Sequence, residues 1–391
     1  MAQWPQFGGP RRDFTCDPVE FSLEWPKDGP RRLWSRAFGD GYSGIVVDGE
    51  RLFSLYREAD EEIIACLDAE SGKTIWEYRY ADPIDKSQFA SRYGYGPRST
   101  PLIVGQYLYA VSFNGKLSCV NNGTGLLKWT IDFVRHFKAK LPRWGYANSP
   151  IAYRNTIILP VGGPGAAFVA FDQATGRLFW RRHDFENSYG SPILIEVDGQ
   201  PQLVCLMARE VVGLNPKTGD LHWEHHHEGQ WRNNVPNPIW GPDQSLLVSS
   251  EGQAGTRLLT LKQTDDMTHV KEKWAVQKFR VVHRNLIRMG DVVYGSSGDF
   301  GPSLFSAIDI KSGTIVWQTR DVGRAGLLRV GDRLLMLEES GQLLLATPGE
   351  KGLTIQARAK VLDEPAWTIP TMAGRRLYLR DRRSIMAGEL P

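Results

Sequence analysis

The chain has 391 residues, a hydrophobic content of 41% and a formal net charge of +3 at pH 7. The apolar content is sufficient for a large buried core, and so small a net charge gives no support for nucleic-acid binding. No stretch reaches the length and apolarity of a membrane-spanning helix, and the opening MAQWPQFGGP does not read as a signal peptide. The sequence leaves open a periplasmic or otherwise exported location, reached with a signal since removed, and a cytoplasmic one.

A ten-residue motif recurs along the chain. Its copies are LDAESGKTIW (67–76), VNNGTGLLKW (120–129), FDQATGRLFW (171–180), LNPKTGDLHW (214–223) and IDIKSGTIVW (308–317). In such turns the Asp or Asn side chain bonds its own backbone, and Gly supplies a positive φ. The closing Trp is expected to pack between neighbouring sheets with its N–H on a polar partner. A strand-and-turn period of roughly 40–50 residues is typical of a β-propeller.

The tryptophans of successive repeats count the blades. They are Trp34, Trp76, Trp129, Trp180, Trp223, Trp274 and Trp317, and one more repeat that has lost its Trp follows the last of them. The C-terminal runs TIPTM, RLYLRD and SIMAGEL lack an outer strand, whereas RRLWSRA at 31–37 is an outer strand with no blade before it. Pairing the two removes an open edge. We therefore predict an all-β, eight-bladed propeller of four-stranded antiparallel blades over 31–391, with an N-terminal extension at 1–30 that packs on it.

The repeats resemble the pyrroloquinoline-quinone (PQQ) repeat. That family includes quinoprotein alcohol dehydrogenases and the non-catalytic propeller lipoprotein of the bacterial outer-membrane barrel-assembly machinery. The segments WPQFGGPRRD, EWPKDGPRRLW, GYGPRSTP and RWGYANSP are similar to those of exported bacterial PQQ-like propellers, so the resemblance covers essentially the whole chain. It implies either a binding scaffold or an enzyme in which PQQ lies between a Trp floor and a vicinal disulfide, over a Ca²⁺ held by Glu, Asn and Asp.

The sequence favours the reading without a cofactor. The four cysteines include no adjacent pair and no CxxC, so free thiols are expected. The residues where the inner strands begin include no Asp or Glu, whereas Ca²⁺ takes six to eight oxygen ligands. PQQ with Ca²⁺ remains the alternative. The tract His225–His227 predicts no metal site, because consecutive residues of a strand point to opposite faces.

A ligand site is predicted where the inner strands begin and in the loops before them. Its candidate residues are Tyr42, Arg92, Arg98, Trp144, Tyr146, Asn148, Tyr189, Trp231, Arg232, Asn234, His283, Arg284, Arg324 and Trp367. Arginine forks suit carboxylates or phosphates, and aromatic faces suit sugars or planar rings. The loops at 80–96 and 133–146 form the expected rim. The alternative is that each arginine pairs with a neighbouring blade or lies in solvent.

The predicted function is that of a non-catalytic binding or scaffolding propeller. Its funnel face is expected to engage an anionic or polar-planar small molecule, such as a peptide carboxylate, an acidic sugar or an aromatic acid, or a protein partner. A monomer is expected. The alternative is a small-molecule enzyme that uses the same funnel, either PQQ-dependent or cofactor-independent. His283 is the one weak catalytic candidate, because it alone among these residues titrates near neutrality.

Overall fold

The computed structural model describes residues 3–85, 93–265, 267–298 and 303–391. These residues form eight β-sheets, each with a core of four antiparallel strands. The protein is thus an all-β, eight-bladed propeller, as the sequence predicts. The repeated turns let each blade form from consecutive chain, so most strands pair with a strand adjacent in sequence.

The first four blades follow one another along the chain. Blade 1 comprises Val46–Asp48, Arg51–Glu58, Glu61–Asp68 and Thr74–Ala81. Blade 2 comprises Leu102–Val104, Tyr107–Val111, Lys116–Asn121 and Leu127–Asp132. Blade 3 comprises Ile151–Tyr153, Thr156–Gly163, Ala166–Asp172 and Leu178–Arg182. Blade 4 comprises Ile193–Val197, Gln200–Leu206, Glu210–Leu214 and Leu221–His226, and the short helix Phe133–Phe137 precedes blade 3.

The second four blades include blade 8, whose outer strand comes from near the N-terminus. Blade 5 comprises Ile239–Trp240, Ser245–Ser249, Thr256–Thr264 and Met267–Val276, preceded by the 3₁₀ turn Gln230–Arg232. Blade 6 comprises Ile287–Met289, Val292–Ser297, Leu304–Asp309 and Ile315–Thr319. Blade 7 comprises Ala325–Val330, Arg333–Glu338, Gln342–Gly349 and Gly352–Lys360. Blade 8 comprises Thr371–Ala373, Arg376–Arg380, Ser384–Glu389 and the N-terminal strand Arg31–Ala37.

The chain divides into two compact units. Unit 1 consists of Met1–Val134, Leu141–Pro150 and Ala325–Pro391, and it contains blades 1, 2, 7 and 8. Unit 2 consists of Arg135–Lys140 and Ile151–Arg324, and it contains blades 3 to 6. In both units the middle strands of the blades are buried on both faces, which explains their nearly continuous apolar sequences.

The repeated turn has the conformation that its sequence predicts. In the first copy, the Asp68 Oδ1 atom accepts bonds from the Ser71 amide and hydroxyl at 2.7 and 2.6 Å. The Gly72 amide donates to the Asp68 carbonyl at 2.8 Å, and Gly72 has φ +69°. The hydrogen bonds from Ser71 hold the pKa of Asp68 below its ordinary value. The side chains of Asn121, Asp172 and Asp309 cap their own turns in the same way.

In both units, a turn glycine also packs against the tryptophan ring of the preceding blade. A Cβ atom on Gly72 would lie 2.5 Å from the Trp34 ring in unit 1, and one on Gly313 would lie 2.7 Å from the Trp274 ring in unit 2. The Trp34 Nε1–H donates to the Ala69 carbonyl in the same turn as Gly72, at 3.1 Å. Trp274 donates likewise to Ile310 at 2.9 Å. The predicted packing of these tryptophans between blades is confirmed.

Blade 5 shows what happens where the turn degenerates. Its third strand ends at Thr264 and its fourth begins at Met267, and the sequence around this junction lacks the motif. The tryptophan of blade 4, Trp223, therefore donates to the Gln202 Oε1 atom of its own blade at 2.7 Å. The Gln202 Nε2 atom in turn donates to Thr268 of blade 5 at 2.7 Å. A glutamine side chain thus replaces the missing turn carbonyl.

The N-terminal strand completes blade 8. Arg31–Ala37 pairs antiparallel with Ser384–Glu389, from Arg31 opposite Glu389 to Ala37 opposite Ser384. This confirms the predicted closing strand. The pairing satisfies the outer edge of the C-terminal hairpin with residues from the other end of the chain.

The residues before this strand cross the inner strands of unit 1. Gln3–Trp4 pairs with the inner strand of blade 1, and Thr15–Cys16 pairs in parallel with that of blade 7. Between them, the Pro5 carbonyl accepts the Ile103 amide of blade 2 at 2.8 Å. Trp4 and Phe14 are buried. Residues 3–16 thus pair with blade 1 and blade 7 through short strands. The domain boundary at residue 30 stays a prediction.

Replacing Gly72 by Ala should destabilise the protein more than replacing Gly105. Both glycines have a positive φ in unit 1, but nothing lies within 4 Å of a Cβ on Gly105. Gly105→Ala should therefore lower the free energy of unfolding by only about 1–2 kcal/mol, the strain of a left-handed residue. Gly72→Ala should cost about 1–3 kcal/mol more, because the Trp34 ring must move. Urea denaturation of the two variants checks this, and equal losses would contradict the role given to Trp34.

Candidate functional site

Four aromatic side chains lie in one continuous row in unit 1. The rings of Tyr42 and Trp367 stack with centroids 4.9 Å apart and an interplanar angle of 24°. Trp367 contacts Tyr93 at 5.3 Å, and Tyr93 meets Trp144 edge-on at 5.3 Å. Tyr42 is buried, and the other three rings are half-buried. We call Tyr42, Trp367, Tyr93 and Trp144 the aromatic row.

A guanidinium group lies at each end of the aromatic row. The Arg98 Cζ atom lies 5.5 Å from the centroid of the Tyr42 ring and 5.4 Å from that of Phe113. Arg98 also donates to the Gly94 carbonyl at 3.2 Å, which fixes its direction. At the other end, the Arg143 Cζ atom lies 5.2 Å from the Trp144 ring. The row therefore combines flat apolar surface with positive charge.

The loop that carries Tyr93 and Arg98 is braced by buried polar groups. The Tyr95 amide donates to the Asp40 carboxylate, and the Tyr95 carbonyl accepts from the Arg57 Nε atom, both at 2.9 Å. Burial would raise the pKa of Asp40, but the bonds from Arg382 and the Tyr95 amide outweigh it and lower that pKa. Gly94 has φ +71°, and a Cβ there would lie 2.5 Å from the Asp40 and Arg382 side chains, so a larger residue would strain the backbone and displace this ion pair.

A buried glutamate, Glu62, bonds two of the residues that surround Arg98 and Tyr95. Glu62 is fully buried and accepts bonds from Arg57 at 2.9 Å and from the Phe113 amide at 2.8 Å. Desolvation by burial and the nearby Asp82 carboxylate raise the pKa of Glu62 to about 8. Glu62 holds the Phe113 backbone, and the Arg98 guanidinium stacks on the Phe113 ring. Glu62 therefore helps to position Arg98.

A buried arginine fixes the backbone at the Tyr42 end of the row. Arg380 of blade 8 is fully buried and donates to the carbonyls of Gly41, Ser43 and Leu55 at 2.9, 3.2 and 2.7 Å. Burial lowers the pKa of Arg380 to about 10, which still leaves it charged at neutral pH. These bonds hold the backbone on both sides of Tyr42, and Thr368 donates to the Tyr42 carbonyl at 3.0 Å.

The other predicted site residues have different surroundings. In unit 1, Tyr146 and Asn148 are buried, so neither presents an exposed group. In unit 2, Tyr189, Asn234 and Arg284 are buried, Arg324 is half-buried, and Trp231, Arg232 and His283 are exposed. Arg92 lies outside the described residues. The structure thus brings together Tyr42, Arg98, Trp144 and Trp367 of the predicted set.

Asn234 of unit 2 holds backbone rather than facing solvent. Its Nδ2 atom donates to the carbonyls of Met207 and His227 at 2.6 and 3.1 Å, and its Oδ1 atom accepts from Ser250 at 2.6 Å. The buried His227 ring bonds the same Ser250 hydroxyl at 3.0 Å. Burial lowers the pKa of His227 to about 3. His226, the neighbouring residue of the tract, is exposed, whereas His227 is buried.

Two features of the site were missed by the sequence reasoning. Tyr93 lies within the predicted rim at 80–96, but nothing local marked it among the aromatic residues there. Arg380 reads as an ordinary alternating residue of RLYLRD, and only its contacts with residues 41–55 reveal its burial. The predicted free thiols are confirmed, since Cys16, Cys66, Cys119 and Cys205 are all buried and unbridged.

Comparison with known proteins assigns the family. Residues 60–319 match the family described as outer membrane protein assembly factor BamB. The chain belongs to this family. No curated protein matches it. In the described part of the chain, no helix combines the length and hydropathy of a bilayer span.

Solved structures share the fold at low identity. BamB from Moraxella catarrhalis is 16% identical, with 92% of this chain and 99% of that one covered and a TM-score of 0.65. The quinohemoprotein alcohol dehydrogenase from Comamonas testosteroni is 13% identical, with coverages of 100% and 80% and a TM-score of 0.68. The computationally designed Ika8 protein is 10% identical, with coverages of 92% and 99% and a TM-score of 0.61. These likenesses show the fold alone.

The free energy of unfolding should decrease as the pH falls, because His227 is buried in its neutral form. Its folded pKa of about 3 lies below the ordinary value of 6.5, so the stability it contributes is present above pH 6.5 and is lost as the pH falls toward 3. The loss should approach about 1.4 kcal/mol per pH unit below the unfolded pKa. His227→Gln should remove this slope, and His226→Gln should not. Free energies of unfolding at pH values above and below 6.5 check this; parallel curves for both variants would contradict it.

Proposed function

We propose that this protein is a non-catalytic binding or scaffolding propeller whose aromatic row contacts a ligand or a protein partner. The observation that carries the proposal is the row itself, with Arg98 5.5 Å from the Tyr42 ring at one end and Arg143 5.2 Å from Trp144 at the other. The braces on Tyr95 and on the backbone around Tyr42 support it, because a preorganised surface loses little conformational entropy on binding.

The chemistry of the row favours an anionic, flat ligand. Half-buried rings offer apolar area with their remaining faces in solvent, which suits planar rings or sugars. The guanidinium groups of Arg98 and Arg143 suit a carboxylate or a phosphate. An aromatic acid, an acidic sugar or the carboxylate of a peptide would meet both requirements.

The family description supports two further parts of the proposal, a protein partner and an exported location. The family is described as an outer membrane protein assembly factor, which supports a role in holding another protein. The same description supports a periplasmic location. In this proposal the aromatic row would receive a side chain or a carboxylate of the partner, and the protein would act as a monomer.

PQQ and calcium do not fit the residues around the row. Calcium requires several converging oxygen ligands. Asp40, whose charge acts on Tyr42, is bonded to Arg382 and the Tyr95 amide. Asp381 accepts the amides of Arg383 and Ser384 at 2.8 and 2.7 Å. Both carboxylates therefore hold the fold, and we derive no reaction step through a quinone.

Removing the charge of Arg98 should weaken the binding of an anionic aromatic probe. With 4-hydroxybenzoate as the probe, Arg98→Gln should lower the affinity about 10- to 100-fold, the effect of one lost bond to a charged group. The neutral analogue 4-hydroxybenzamide should be affected little. Arg79→Gln is the matched control, since Arg79 is an exposed arginine of the same unit that pairs with Glu77.

Isothermal titration calorimetry with thermal melts checks this prediction. Trp144→Leu should also reduce the affinity, through lost ring contact. Binding that is unchanged in Arg98→Gln would contradict the proposed site. A large fall in the melting temperature of Arg98→Gln would instead assign Arg98 to the fold.

A second experiment tests the enzyme alternative directly. We expect no stoichiometric binding of PQQ in the presence of Ca²⁺ and no dye-linked oxidation of alcohols, because Asp40 and Asp381 are already bonded within the fold. Absorbance titration with PQQ and a dye-reduction assay measure the two quantities. Stoichiometric PQQ binding together with alcohol oxidation would overturn the scaffold proposal.

A further inference from the structure

An exposed tryptophan in unit 2 adopts a backbone conformation that its side chain disfavours. Trp231 is 71% exposed and has φ +61°, and the next residue, Arg232, has φ +57°. A bulky residue in the left-handed region strains the backbone, whereas glycine does not. Such strain persists only where the surroundings enforce it, and it is concentrated at functional sites.

The turn that presents Trp231 is held from several sides. The Gln230 amide donates to the Glu251 carbonyl at 3.2 Å, and Ser188 Oγ donates to the Arg232 carbonyl at 3.0 Å. Directly after the turn, the buried Asn234 is fixed by the four hydrogen-bonding groups around it. The side chain of Trp231 is therefore displayed on a rigid base.

The indole of Trp231 contributes little to the fold. It makes no hydrogen bond or ring contact with any residue that the structure describes. The motif tryptophans Trp34 and Trp274 contact glycines and carbonyls of neighbouring turns, whereas the Trp231 ring lies in solvent on a strained residue. We propose that residues 229–233 form a protein-docking anchor, with Trp231 as its central side chain. Rigid, exposed Trp with Arg beside it is the composition of an interface hot spot.

The charges around the anchor favour a basic partner. Glu186 and Glu228 pair with Arg232 at 3.1 Å each, and Glu186 also faces Arg209 at 3.7 Å. Glu210 is acted on by the charges of Glu186, Glu224, Glu228 and Arg209. The four glutamates of this group outnumber its two arginines, Arg209 and Arg232.

An exposed indole within acidic surroundings suits an arginine or lysine, which stacks on the ring and pairs with a carboxylate. The same charge opposes anionic lipid headgroups. The partner is thus a protein segment that carries arginine or lysine. This inference does not depend on the aromatic row, which belongs to the other unit.

The test uses the capped peptide acetyl-(Gly-Arg)₄-amide and the intact protein. The protein should bind this peptide in calorimetry at low salt, and it should not bind acetyl-(Gly-Glu)₄-amide. Trp231→Gly should weaken the binding about three- to tenfold, the range of a partly exposed cation–π contact. Trp231→Phe should retain part of it. Phe179→Leu is the control, because Phe179 is an exposed aromatic residue elsewhere in unit 2.

Stability separates docking from a structural role. Because glycine tolerates the positive φ, Trp231→Gly should melt at the same temperature as the parent or higher. A lower melting temperature would place the indole in the fold and overturn the proposal. So would arginine-peptide binding that is absent in the parent or unchanged in Trp231→Gly. Binding to phosphatidylglycerol vesicles that depends on Trp231 would make the residue a membrane anchor instead.

Discussion

The contact on which the fold depends is a tryptophan ring resting on a glycine of the next blade. Trp34 on Gly72 and Trp274 on Gly313 show the contact in the two units. The ring occupies the volume where a Cβ would lie, and its N–H caps a carbonyl of the same turn. The glycine therefore serves the turn and the neighbouring blade together. Since these repeated residues are all used to join blades, binding must rely on residues that differ from blade to blade.

The sequence predicts the fold better than it predicts the site. The motif, its period and the closing strand at 31–37 follow from residues near one another in the chain, so the architecture could be derived. Tyr146 and Asn234 carry the same side-chain chemistry as true surface candidates, yet both are buried. Asn234 is buried because it bonds Met207, His227 and Ser250, which lie at unrelated positions in the sequence. Contacts of this kind cannot be deduced from periodicity.

Buried charge connects the fold to the proposed site. Arg380 has its hydrogen bonds satisfied by backbone carbonyls on both sides of Tyr42, and Arg57 joins Glu62 to the Tyr95 backbone. A buried charge is tolerated only with such a full set of partners. These groups add little net stability, but each fixes a geometry. The same propeller serves an assembly factor, a dehydrogenase and a designed protein, which agrees with a site built by bracing of individual side chains.

The closing strand also sets an order of events during biosynthesis. Residues 31–37 are synthesised well before their partner strand, residues 384–389. Blade 8 therefore cannot form until residues 384–389 have been made, and until then the sheet edge is open to pairing with other chains. Bringing together segments so distant in sequence is slow. Closure of blade 8 is therefore expected to be a late step of folding, after the blades made of consecutive strands have formed.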